Sequence, residues 1–183
     1  QCAAIFGHLP ATKSLVKKPG EWNRFTITCK GKMGSVVLNG EQVTEMDMSR
    51  WTSAKQNPDG SWYSGYVDDR PKDLTRDTNH STYIATGVWY HYRITRDEGF
   101  LGEMWPSVKA AIDFALGLQQ PGGEILWACN GAKGTWPGAI YAASTCVWQS
   151  VRSGLKIAEK RGVKRPDWEI ANTRVSSSTI GSL

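Results

Sequence analysis

The sequence predicts an α+β protein, an N-terminal antiparallel β-meander followed by antiparallel α-helical hairpins. Up to Asn57-Pro58-Asp59-Gly60 the apolar residues tend to recur at every second position, and beyond it they recur at helical spacing. Asn39-Gly40 is the dipeptide most favoured in a two-residue hairpin turn, because both positions tolerate positive φ. In the second half, Gln120-Pro121-Gly122-Gly123 and Gly162 break helical patterns cleanly. Two domains are expected, residues 1–60 and 61–183.

In the first part, Phe25, Ile27 and Cys29 alternate with Arg24, Thr26 and Thr28, the pattern of a strand with one buried face. Lys30-Gly31-Lys32 turns the chain into a second strand, Met33 to Leu38. Val43, Met46 and Met48 continue a third strand beyond Asn39-Gly40, which ends at Trp51. A three-stranded sheet leaves edges unpaired, so it needs a partner surface, and a homodimer through those edges is one way to supply it. His8, Glu21, Glu41, Glu45 and Asp47 are read as solvated turn and edge residues.

In the second part, Asp77-Thr78 offers a helix cap, and Ile84, Ala85, Val88, Trp89 and Tyr92 form an apolar stripe closed by Thr95-Arg96-Asp97. Pro106 suits the first turn of a second helix, with Val108, Ala111, Ile112, Ala115 and Leu116 facing the core. A third helix is predicted from Ala139 to Arg161, stopped by Gly162. A fourth is predicted from Pro166 to about Val175, with a frayed end at Ser176 to Ser178.

A chain of 183 residues with 40% apolar content is a packed globular protein, large enough for one ordinary domain or two small ones. Nine tryptophans are many for this length; most are assigned to the core, and some to platforms for the C–H face of a sugar. The net charge of +5 comes with no recognised nucleic-acid module and no aromatic–basic interleave, so no nucleic-acid partner is expected. No apolar run is long enough for a membrane span, so no membrane partner is expected either.

Four cysteines show no C-x-x-C spacing and only three histidines exist, which argues against a structural zinc site. Cys29 and Cys146 fall on apolar faces and are expected to be buried thiols, with disulfide pairing left open. His80 and His91 are too far apart to be a helical ligand pair, so neither a metal nor another cofactor is expected.

Ala4-Ile5-Phe6-Gly7, Lys18-Pro19-Gly20-Glu21-Trp22-Asn23, Thr26-Ile27-Thr28-Cys29-Lys30-Gly31 and Val36-Val37-Leu38-Asn39-Gly40-Glu41 occur in an order that resembles the 3-keto-disaccharide hydrolase domain family. The resemblance implies a concanavalin-like β-sandwich that acts on or binds carbohydrate, and it covers residues 1 to about 60, a fragment of the sandwich. Asp68-Asp69-Arg70-Pro71, Thr75-Arg76-Asp77-Thr78-Asn79, Trp89-Tyr90-His91-Tyr92, Met104-Trp105-Pro106 and Gly123-Glu124-Ile125-Leu126-Trp127-Ala128 resemble α/α-toroid proteins over residues 62–174. These include glucoamylase-like glycosidases and bacterial prenyltransferase-like proteins. That resemblance implies a partial ring of helical hairpins with a ligand pocket at one mouth.

Hydrolysis of a glycosidic bond needs two carboxyl groups, one to donate a proton and one to activate water or attack. Asp77 and Glu124 are the candidate catalytic pair. Asp77 would contact sugar hydroxyls or water, and Glu124 would be the acid, its pKa raised by burial against Trp127. Each also has a plain structural role open to it, Asp77 as a helix cap and Glu124 as a loop carboxylate. Asp69, Arg76, Asn79, His80, Trp89 and Trp127 are the candidate substrate-binding residues. Isoprenoid cyclisation would need an Asp-x-Asp-Asp acid, which Asp68-Asp69 followed by Asp73 does not supply.

The functional expectation is a carbohydrate-active protein of glycoside-hydrolase ancestry, with weak or no activity because both resemblances are partial. A non-catalytic sugar- or partner-binding fragment and an isoprenoid-handling toroid protein are the alternatives.

Overall fold

The computed structural model describes residues 2–4, 9–47, 56–67, 70–130 and 134–180. They form two compact units, one of residues 1–55 and 65–73, the other of residues 56–64 and 74–183. The α+β reading holds: an antiparallel sheet comes first and four helices follow.

In the first unit, β1 (Phe25–Lys30), β2 (Met33–Leu38) and β3 (Glu41–Asp47) form an antiparallel meander in that order. Leu38 pairs with Glu41 across Asn39-Gly40, whose φ angles of 52° and 93° are those a two-residue hairpin requires. The register shifts between Val36 and Val37, which face Thr44 and Gln42, so Val43 is the extra residue of a β-bulge. The bulge turns both Val43 and Thr44 inward and frees the Val43 carbonyl, which accepts from the Thr12 N–H at 2.8 Å. Ala11, Leu38 and Val43 make a small core, with Ala3, Leu15 and Val36 packed on it.

The buried face expected for β1 is exposed instead. Ile27 is 69% exposed, and Phe25 and Cys29 are also exposed. The reason is positional: the residues packed on the small core come from β2, β3 and the segment before β1, and β1 itself is an edge strand. A short hairpin, β4 (Gly65–Val67) with β5 (Arg70–Asp73), completes this unit. Met48, Trp51, His8 and the candidate Asp69 lie outside the described residues.

The second unit begins with β6 (Thr75–Asp77), which pairs with β7 (Ala128–Asn130), and carries α1 (Thr78–Thr95), α2 (Glu98–Leu116), α3 (Tyr141–Lys160) and α4 (Pro166–Ile180). Helix α1 packs on both α2 and α3, and α3 packs on α4. The expected stripes are the ones buried: Ala85, Val88 and Tyr92 from α1, Val108, Ile112 and Ala115 from α2, Val147 and Val151 from α3, closed by Trp168 and Val175 from α4. Arg96, in the left-handed region at φ 59°, ends α1.

Two helix boundaries differ from expectation. Helix α2 starts at Glu98, with Pro106 inside it rather than in its first turn. Asp97 is the N-cap, its carboxylate accepting from the Phe100 N–H at 2.9 Å, and a cap that strong sets the start well ahead of the proline. Helix α4 continues through Ser176 and Ser177, whose hydroxyls bond back to the Thr173 carbonyl at 2.9 and 3.1 Å instead of fraying.

The helices meet closely where side chains are small. A Cβ on Gly154 would lie 2.2 Å from Ile112 Cδ1 and 3.1 Å from Trp168 Cζ3, both on buried side chains. Trp168 is further fixed by its indole N–H donating to Asp113 Oδ1 at 2.8 Å, while the Arg165 guanidinium stacks 3.8 Å over its ring and pairs with the same carboxylate.

Gly154→Ala is therefore expected to destabilise the protein by about 1–3 kcal/mol despite the better helix propensity of alanine. Asp113→Ala, which strands the buried indole N–H of Trp168 and leaves Arg165 its pair with Asp167, should cost about 1–3 kcal/mol. Urea denaturation followed by circular dichroism at the helical band checks both; a midpoint equal to that of the parent for Gly154→Ala would contradict the close approach.

Candidate functional site

The polar residues of the second unit gather where β6 runs into α1. The backbone leaves the strand at Asp77 and enters the helix at Thr78, whose N–H donates to the Trp127 carbonyl at 2.9 Å. The Thr78 hydroxyl reaches the Leu126 and Trp127 carbonyls at 3.1 and 2.9 Å. Together with the pairing of Asp77 to Ala128 and Arg76 to Cys129, these bonds hold the start of α1 against β7 and the two residues before it, Leu126 and Trp127.

Asp77 occupies the N-cap position, yet its carboxylate makes no capping bond. It is 4% exposed, and Oδ2 accepts from the Ser64 hydroxyl at 2.7 Å and lies 2.8 Å from His80 Nδ1. Oδ1 is buried with no hydrogen-bond partner. A buried acceptor left unmatched is costly, so Oδ1 is an oxygen placed to meet a hydroxyl or a water.

Burial by itself would raise the Asp77 pKa, but the hydrogen bonds from His80 and Ser64 and the His80 charge outweigh it and hold the carboxyl below its ordinary 3.8. The hydrogen bond to Asp77 raises His80 above its ordinary 6.5, against a smaller opposing effect of burial. The arrangement favours a carboxylate beside an imidazolium, with the His80 side chain 58% exposed to water.

The flanking candidates have identifiable partners. Arg76 forms an ion pair with Asp59, and its Nε is buried without a partner. Asp59 in turn accepts from the Ser61 N–H at 3.0 Å and the Ser61 hydroxyl at 2.6 Å. Asn79 donates to the Tyr83 hydroxyl at 3.5 Å while its Oδ1 is buried and unmatched. Tyr83 donates to Cys146 Sγ at 3.3 Å. Three unmatched buried atoms within residues 76–79, one donor and two acceptors, suit a ligand that both donates and accepts, as a hydroxyl does.

The aromatic candidates divide. The Trp127 ring lies 5.6 Å from Trp136, tilted by 59°, beside the strand that pairs with Asp77. Trp89 stacks on Tyr92 at 5.7 Å and packs against the helical core.

Glu124 sits in the turn between α2 and β7. Its carboxylate folds over Gly122, where an added Cβ would lie 2.4 Å from Oε2, and its carbonyl accepts from the Gln120 N–H at 2.8 Å. Arg174 of α4 holds that turn by bonding to the Gln120 and Pro121 carbonyls at 3.2 and 2.9 Å. The bonds to Asp77 described above come from Ser64 and His80, not from Glu124.

Sequence reasoning did not single out Ser64, Asp59 or Trp136. Asp59 was hidden in a turn dipeptide, and Ser64 lies in a loop with no periodicity to mark it. The cysteines divide differently from expectation: Cys129 is buried, Cys146 half-buried, and Cys29 exposed on its edge strand. Burial pushes the Cys129 thiol up in pKa, opposed by Arg76, so it stays a neutral thiol. All four cysteines are free thiols. Among the described residues no His/Cys/Asp/Glu group could hold a metal ion, and no helix is long and apolar enough to cross a membrane.

Residues 1–73 match the family model of the 3-keto-alpha-glucoside-1,2-lyase-like domain. The chain is also 39% identical, over 125 residues, to the MMP endo-(1,4)-3-O-methyl-alpha-D-mannosidase of Mycolicibacterium hassiacum. That alignment takes in 68% of this chain and 34% of the mannosidase, so the chain spans about a third of the length of this curated relative. A continuous stretch of 125 residues in this chain includes α1 and α2 wherever it begins. At the family level the similarity is to glycosidases and to a domain named for glucoside chemistry.

The Asp77–His80 pair has a defined pH window. His80, with its raised pKa, contributes stability that is complete below 6.5 and is lost as pH rises through its folded value. Asp77, with its lowered pKa, contributes stability present above 3.8 and lost as pH falls through its folded value. The His80 ring, followed by NMR, should titrate above 6.5 and move back toward 6.5 in Asp77→Asn. A midpoint unaffected by that substitution would disprove the pairing.

Proposed function

We propose that this protein is a carbohydrate-active protein of glycoside-hydrolase ancestry, whose helical unit is an arc of an α/α toroid that binds an α-linked hexose chain at the start of α1. The observation that carries the reading is the buried Asp77 carboxylate, ionised by His80 and Ser64 and left with one unmatched oxygen. Such an oxygen accepts a sugar hydroxyl, or a water that it can deprotonate as it attacks the anomeric carbon. Arg76 and Asn79 bring the further donor and acceptor that a pair of adjacent hydroxyls needs. Trp127 with Trp136 offers the apolar surface for the sugar's C–H face.

A carboxyl held below its ordinary pKa cannot serve as the proton donor near neutrality. In this reading Asp77 is the base or hydroxyl acceptor, and the acid is Glu124. The name of the mannosidase relative supports an α-mannoside, with α-glucoside as the other hexose to test. His80 and Trp89 complete the proposed binding set: His80 acts through Asp77, and Trp89 supports the helix that bears them.

A second reading has the same site bind sugar without cleaving it. The position of Glu124, folded over Gly122 in a turn held by α4, favours it. Titration with α-(1→4)-linked 3-O-methylmannose and glucose oligosaccharides, followed by tryptophan fluorescence and by release of reducing ends, tests both. Saturable binding is expected, weakened at least about tenfold in Asp77→Asn through loss of a charge-assisted hydrogen bond. If the protein is an enzyme, Glu124→Gln removes turnover and leaves binding. Fluorescence that stays flat with every sugar rules out the site, and turnover unchanged in Glu124→Gln rules out its role as the acid.

A further inference from the structure

The first unit has a pocket of its own, on the face of the meander turned away from its small core. Thr26 pairs with Val37 and Phe25 with Leu38, so Arg24, Thr26 and Val37 share the side opposite the buried Leu38. Together with Lys17, Asn39 and Gly40 they line a cavity of about 410 Å³, within the size range of small-molecule sites. Two of these lining residues are cations, and none is a carboxylate. Other lysines of the unit are neutralised: Lys13 pairs with Glu41 at 2.6 Å and Lys32 with Asp47 at 3.0 Å. The Lys17 ammonium and the Arg24 guanidinium have neither a hydrogen bond nor an ion pair among the described residues; both residues bond through their backbone instead.

The side chain of Asn39 fixes where the two cations start. Its Oδ1 accepts from the Arg24 N–H at 2.9 Å, and its Nδ2 donates to the Leu15 carbonyl at 2.7 Å and to Asn23 Oδ1 at 2.9 Å. Asn23 Oδ1 also accepts from the Lys17 N–H at 2.9 Å. The asparagine that gives the hairpin its positive φ therefore also ties together the segments that carry Lys17, Arg24 and Gly40. A Cβ on Gly40 would meet nothing within 4 Å, so the backbone there is open to approach. The chemistry of the lining is one-sided. A guanidinium presents a planar fork to two oxygens, an ammonium adds a point charge, and the Thr26 hydroxyl can donate to a further oxygen.

We infer that this pocket binds the oxyanion of a small organic molecule, a carboxylate or a phosphate monoester, between Lys17 and Arg24. The inference is independent of the sugar-binding reading at the start of α1, which concerns neutral hydroxyls and other residues.

The test is a titration of the full chain with glucuronate and with glucose 6-phosphate at constant ionic strength, with neutral glucose as the control. The amides of Thr26 and Gly40 are followed by NMR. Saturable shifts with at least one of the two anions and none with glucose are expected, and the tighter anion identifies the carboxylate or the phosphate as the group preferred. Lys17→Gln and Arg24→Gln, both at exposed positions, should each weaken binding at least about fivefold with unchanged circular dichroism. Asn39→Gly, which keeps the positive φ of the turn but removes the bonds that tie the segments, should weaken it as well. Lys30→Gln, at the exposed far end of β1, should leave it unchanged. Amides that stay still with both anions overturn the inference, and so does binding that Lys17→Gln and Arg24→Gln leave undiminished. A loss in Lys30→Gln equal to that in Arg24→Gln overturns it too, because the attraction would then belong to the basic surface in general and not to the pocket.

Discussion

The helical unit depends on how α1 is started. Thr78 places its N–H and its hydroxyl on the carbonyls of Leu126 and Trp127, so the first turn of the helix is bonded to the strand that follows α2. That backbone bond takes up the first N–H of the helix, while the Asp77 carboxylate makes no capping bond and is buried against Ser64 and His80 instead. One short junction thus does two things: it registers α1 against α2 and α3, and it presents an anion in a place where an ordinary cap would have used it.

The same junction explains why burial and ionisation coexist there. A lone carboxylate taken out of water would take up a proton. Two donors on one oxygen reverse that preference, and the second oxygen keeps its acceptor capacity in a dry environment where it is worth most. Nearby, the buried Cys129 stays a neutral thiol: burial raises its pKa, Arg76 opposes this, and the charges of Asp59 and Asp77 raise it further.

What could be read from the chain was whatever had a period or a turn signal. The three strands of the meander, the Asn39-Gly40 hairpin and the core stripes of the first three helices follow from spacing alone. The exposed face of β1 did not, because alternation says that one side is apolar and cannot say whether another layer covers it. The start of α2 was hidden because Pro106 is a stronger local mark than Asp97, although the cap decides the boundary. Strands of three residues, such as β6 and β7, are too short to show a period at all. Asp77, Asn79 and His80 were legible as a polar cluster before a helix. Their partners Ser64 and Asp59 were not, since they reach the cluster only through the fold of residues 56–64.

The uncovered edge of the meander has a further consequence. Among the described residues no strand pairs with the outer edge of β1, and Phe25 to Cys29 is a short run rich in aromatic and β-branched residues, the kind of segment that stacks into cross-β fibrils. It is bracketed by Arg24 and Lys30. In-register stacking would pile arginine on arginine and lysine on lysine every ~4.8 Å, a growing electrostatic penalty that no hydrophobic zipper of five residues easily offsets. The opposite edge is guarded by shape, since the bulge at Val43 bends that strand out of line with any straight newcomer. Charge on one border and curvature on the other let a sheet of only three strands stay open without becoming a template for its own precipitation.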